Sequence, residues 1–105
     1  MSSSDYAHRI SLHDSHDMYS VLCDYPGQAR TGMDVGNSVN LSGIDTAAIG
    51  NLLVCGMGGS AIGGDLLRVY AAGKCPVPIT VNRDYGMPHF VGPDTLVFAV
   101  SYSGN

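Results

Sequence analysis

Residues Cys55-Gly56-Met57-Gly58-Gly59-Ser60-Ala61-Ile62-Gly63-Gly64-Asp65 combine small residues, backbone amides and one hydroxyl. They follow the apolar run Leu52-Leu53-Val54 and precede a segment with a helical pattern. A glycine turn lets a ligand approach the backbone closely. A helix start behind it offers N–H groups and a positive dipole end, so the chemistry is that of an anion site, most often for phosphate. A second turn, Ser101-Tyr102-Ser103-Gly104-Asn105, closes the chain. Ser101 and Ser103 alternate at a strand exit, and Gly104 permits a tight turn that aims their hydroxyls and amides into a crevice. Hydroxyl and amide donors form charge-assisted hydrogen bonds with phosphate. The candidate binding residues are Gly58, Gly59, Ser60, Ser101 and Ser103.

Plainer readings stand beside this one. Ser60 can serve only as a helix cap. Gly56-x-Gly58-x-x-Ala61 also fits a dinucleotide fingerprint, with Asp84 as a ribose ligand. Against that, Asp84 lies beyond the usual offset of about 20 residues, in a turn entered by Asn82-Arg83. The Gly59-Ser60 pair puts a hydroxyl in the spacer, and the Ser-Tyr-Ser-Gly-Asn turn has no task in a dinucleotide site. His8, His13 and His16, with Asp14 and Asp17, match no zinc spacing. His89 reads as a surface residue. Cys23, Cys55 and Cys75 form no C-x-x-C pair and read as reduced packing residues, Cys55 at a strand end.

The elements that must position these loops follow from hydrophobic period and breakers. Residues 1–13 read as a flexible tail and 14–43 as an amino-terminal helical segment. In it, Asp14 or Ser15 caps a helix, Asp17 lies in its first turn, and Met18, Val21, Leu22 and Tyr25 recur at helical spacing. Pro26 ends that helix or opens the next. Residues 27–37 form a weaker helix diluted by Gly27, Gly32 and Gly36, and 38–43 a loop. Residues 44–105 read as the first part of an α/β domain, truncated at the third strand. Residues 51–55 and 77–82 are strands. The helix at 60–72 turns Ile62, Leu66, Leu67, Val69 and Tyr70 inward and ends at Gly73. Residues 85–93 are rich in turns. Residues 95–100, Thr-Leu-Val-Phe-Ala-Val, read as a central parallel strand buried on both faces. Ligands of open parallel sheets sit outside the carboxyl ends of the strands, where both candidate loops fall.

Composition narrows the partners. The 105 residues carry a net charge of −4, with only five Lys and Arg. No basic run suits nucleic acid or an anionic membrane surface. No apolar run nears the ~20 residues that span a bilayer. The start of the chain lacks a basic region followed by an apolar core, which makes a cytoplasmic location the expectation.

The two loops, with Arg83-Asp84-Tyr85-Gly86-Met87-Pro88 and Asp24-Tyr25-Pro26-Gly27-Gln28, resemble the sugar isomerase (SIS) fold. The likeness is greatest to the bifunctional phosphoglucose/phosphomannose isomerase family and covers roughly residues 18–105. It implies a three-layer αβα SIS domain with a parallel sheet, only its first part present, preceded by amino-terminal helices. It implies interconversion of glucose 6-phosphate or mannose 6-phosphate with fructose 6-phosphate, without metal or organic cofactor. By resemblance, Gly59 and Ser60 contact the substrate, and Ser101 and Ser103 hold its phosphate. The family's loop continues with a threonine that would follow Asn105. The family's catalytic glutamate, histidine, lysine and arginine map to no residue here, so the fragment is expected to be inactive alone. A homodimer is expected at full length. A non-catalytic SIS module that senses a sugar phosphate inside a regulator would share both loops. Residues 1–43 hold no basic helix-turn-helix to favour it.

Overall fold

Leu52, Leu53 and Val54 anchor the first strand, β1 (Asn51–Cys55), at the centre of a three-stranded parallel sheet. The computed structural model describes residues 1–104. β1 leads into α4 (Gly59–Ala71), which returns the chain to β2 (Ile79–Asn82), and β3 (Thr95–Ala99) follows. The strand order is β2-β1-β3. Leu53 aligns with Thr80 on one side and Val97 on the other, and Cys55 with Asn82 and Ala99. All three strands therefore finish at the same end of the sheet. The family's α/β expectation holds in this partial sheet with its helix.

Two details differ from the sequence reading. The residues α4 buries are Ala61, Gly64 and Ala71, while Ile62, Leu66, Val69 and Tyr70 are exposed and Leu67 is partly so. The cause is close approach. A Cβ on Gly64 would lie 2.9 Å from Val54 Cγ1 and 3.1 Å from Val81 Cγ2. Only a small-residue stripe fits a helix that near the sheet. The second difference concerns β3. It lies at the edge of the described sheet, not at its centre, and Val97 and Phe98 are exposed. An apolar strand pattern records what burial a strand would tolerate, not which neighbours it has. The buried apolar residues are Leu53, Val54, Ala61 and Ala71, joined by the polar Asn82.

The chain divides into two compact units, Met1–Leu41 and the part from Ser42 onward. The first holds α1 (Ser3–His13), α2 (Met18–Cys23) and α3 (Tyr25–Ser38). Where a tail was expected, α1 forms behind a reciprocal capping box. The Ser2 hydroxyl accepts from the Asp5 N–H at 3.3 Å, and the Asp5 carboxylate accepts from the Ser2 N–H at 2.8 Å. Asp14 caps α2, its carboxylate accepting from the Met18 and Tyr19 N–H groups, both at 2.7 Å. Asp17 stands just before that helix in the left-handed region, at φ 54°, not in its first turn. Pro26 occupies the start of α3, where its missing N–H costs nothing. α3 runs through Gly27, Gly32 and Gly36 without interruption. None of the three helices buries a residue.

Candidate functional site

The carboxyl ends of the three strands open on a cleft of about 570 Å³. Ser60, Ser101 and Ser103 all line it. They come from two parts of the chain: Ser60 from the start of α4 behind β1, the other two from the turn after β3. Parallel pairing in register is what gathers them. Gly58 and Gly59 are not among the lining residues.

The glycine turn is set by Gly58, which holds φ 51° and ψ −124° before α4. Only glycine reaches that region without strain. The turn closes on itself. The Ser60 N–H donates to the Met57 carbonyl at 3.0 Å, and the Ala61 N–H to the Gly58 carbonyl at 3.1 Å. Two of the amides expected to face a ligand are thus engaged locally. The Gly58 and Gly59 N–H groups and the Ser60 hydroxyl find no partner among the described residues. On the opposite loop, the Ser101 hydroxyl accepts from the Gly104 N–H at 3.0 Å. That bond shapes the turn and leaves the hydroxyl proton available for donation. Asn105, the last residue of this motif, lies outside the described residues.

Among the described residues no lysine, arginine or histidine lines the cleft, and the one carboxylate lining it is that of Asp84. The cleft offers an anion neutral donors and no cationic partner among the described residues. His89 is exposed and does not line it. Cys55 does line it, beyond the packing role expected of it. Among the described residues no cluster of His, Cys, Asp or Glu is gathered to hold a metal ion.

One organising residue escaped the sequence reading. Asn82 ends β2 and is the most buried polar side chain, 9% exposed. Its Nδ2 donates to the Asp84 carbonyl at 3.4 Å and to the Gly86 carbonyl at 2.9 Å, and its Oδ1 accepts from the Asp84 N–H at 3.2 Å. Its backbone carbonyl accepts from the Gly56 N–H at 3.1 Å. One residue therefore ties the glycine turn to the loop that carries Asp84 and Tyr85 into the cleft. An asparagine at a strand end just before Arg-Asp-Tyr-Gly was the available signal, since asparagine side chains hold such turns. Arg83 turns away to form an ion pair with Asp65 of α4, joining two stretches that the sequence reading treated apart.

No family model matches the chain, and no solved structure matches it. Curated proteins do. The chain is 41% identical over 88 residues to the bifunctional phosphoglucose/phosphomannose isomerase of Caldicellulosiruptor bescii, a match covering 84% of this chain and 26% of that protein. Proteins of the same name from Thermoplasma acidophilum and Aquifex aeolicus are 42% identical over 60 residues and 44% identical over 55. Those matches cover 57% and 51% of this chain, and 18% and 17% of the relatives. The chain spans about a quarter or less of the length of these relatives.

Proposed function

The chain belongs to the bifunctional phosphoglucose/phosphomannose isomerase family, and we propose on that footing that its second unit binds a hexose 6-phosphate. The observation that carries this reading is the convergence of Ser60, Ser101 and Ser103 on one cleft at the strand ends. Ser101 and Ser103 take the phosphate, and Ser60 takes an adjacent oxygen of the ligand, while Gly58 and Gly59 shape the turn that presents Ser60. Neutral donors without a cation suit reversible binding. Loss of any one is felt directly, because hydrogen bonds to charged groups contribute about 1.5–3 kcal/mol.

The whole protein, on this reading, interconverts glucose 6-phosphate or mannose 6-phosphate with fructose 6-phosphate as a cytoplasmic homodimer. Moving a proton between C1 and C2 needs a carboxylate base and groups that open the ring. The cleft's serines and glycines offer neither, and its carboxylate, Asp84, has no histidine or lysine beside it in the lining to open a ring, so on this reading the chain alone binds without turnover. Titration with fructose 6-phosphate, followed by amide shifts, tests the binding role. Shifts at Ser60, Ser101 and Ser103 support it, and their absence at millimolar ligand rejects it. Inactivity on both hexose phosphates of a longer protein containing this chain would reject the isomerase reading.

A further inference from the structure

We infer that Asp84 is a sugar-binding residue that sets the direction in which a phosphorylated sugar lies across the strand ends, an inference that rests on the hexose-phosphate reading above. The sheet order β2-β1-β3 puts the three lining loops in a row. Asp84 follows β2, Ser60 follows β1, and Ser101 and Ser103 follow β3, and all four line the same cleft. Neighbouring strands lie about 4.8 Å apart, so the two outer loops stand roughly 10 Å from each other. That separation suits a six-carbon sugar with its phosphate at one end.

The ends of the row differ in chemistry. Ser101 and Ser103 can donate hydrogen bonds to a phosphate. An ionised carboxylate only accepts. It repels a phosphate dianion and takes hydrogen bonds from sugar hydroxyls. Among the described residues no other carboxylate and no lysine, arginine or histidine lines the cleft, so Asp84 gives it polarity: phosphate at the β3 end, ring hydroxyls at the β2 end.

Asp84 is also held for such a task. Its N–H and its carbonyl are both bound by the buried Asn82 side chain. Its carboxylate makes no hydrogen bond or ion pair among the described residues, and the neighbouring Arg83 is paired with Asp65. A fixed backbone thus presents an uncommitted acceptor. Removing the carboxylate leaves every bond that shapes the loop in place.

The test is a titration of this chain, of Asp84→Ala and of the isosteric Asp84→Asn, with glucose 6-phosphate and with inorganic phosphate, read by amide shifts. Asp84→Ala is expected to weaken glucose 6-phosphate about tenfold, the loss of one charged hydrogen bond. Asp84→Asn is expected to fall between it and the parent. Inorganic phosphate is expected to bind both variants at least as tightly as the parent, since a repulsive charge has gone. Unchanged glucose 6-phosphate affinity in both variants overturns the role of Asp84 and leaves the binding reading intact. An equal loss for both ligands overturns it too, because the effect would then be a general disturbance of the cleft. If Ala disturbs the loop, Asn decides by the same criteria. A parent chain that binds neither ligand overturns the hexose-phosphate reading itself, and this inference with it.

Discussion

Ser101 carries two tasks on one oxygen. It accepts the Gly104 N–H, which closes the turn after β3, and it retains a proton for a ligand. Ser101→Ala removes a turn bond and, on the proposed hexose-phosphate reading, a phosphate donor with it. Because the turn is exposed, its loss changes global stability little. Phosphate and fructose 6-phosphate affinity should fall roughly tenfold or more, as a hydrogen bond to a charged acceptor is lost. Titration checks the affinity, and an unchanged thermal midpoint separates that loss from unfolding.

Among the elements, α4 depends on two adjacent glycines with opposite tasks. A Cβ on Gly64 would press on Val54 and Val81, whereas one on Gly63 would meet nothing within 4 Å. Gly64→Ala is expected to destabilise the second unit by about 1–3 kcal/mol through overpacking. Gly63→Ala is expected to stabilise it by about 0.5–1 kcal/mol, because alanine loses less backbone freedom in a helix. Urea midpoints of the two variants should move in opposite directions. The helix α1 carries a pH dependence. Hydrogen bonds from the Ser2 backbone N–H, then from its hydroxyl, hold the Asp5 carboxyl below its ordinary value of 3.8. A depressed carboxylate contributes stability that is full above the ordinary value and is lost as pH falls through the lowered one. The helical circular dichroism signal of α1 should therefore hold at neutral pH and decline only in acid below that value. Asp5→Asn, with no charge to lose there, should flatten that decline.

Across the whole molecule, burial is scarce. Among the described residues, Leu53 is the largest side chain that is fully buried, and three smaller apolar residues join it below the surface. Leu53→Ala removes about 2–5 kcal/mol. Small domains have only about 5–15 kcal/mol in all, so this one substitution should bring the second unit close to unfolding at room temperature. Loss of dispersed amide shifts from residues 51–55 is the readout. The net charge of −4 acts at this scale as well. With no cation lining the cleft, long-range attraction does not bring a phosphate there. On the proposed reading, binding depends instead on short-range hydrogen bonds, and so on the loop geometry.

The order of elements from β1 onward, the two loops and the family were legible in the residues alone, whereas residues 1–13 read as a flexible tail and form α1. Glycine, proline and capping residues act on the chain within a few positions, and an apolar period needs no distant partner to be read. That local logic located β1, α4, β2 and β3, and it put Ser60, Ser101 and Ser103 at strand ends. It failed where the outcome depended on what lay opposite. The close approach of Gly64 to Val54 reversed the buried face of α4. The strand order, not the composition of β3, made it an edge. The Asn82 bonds to the Asp84 loop, the place of Asp84 in the cleft and the Arg83–Asp65 pair emerged only when the strands and α4 packed together. The sequence by itself determined which hydroxyls and glycine-turn amides this protein carries at its strand ends. The tertiary structure decided which of them share a cleft and what faces them across it, because distances between strands are set by packing and pairing, not by spacing along the chain.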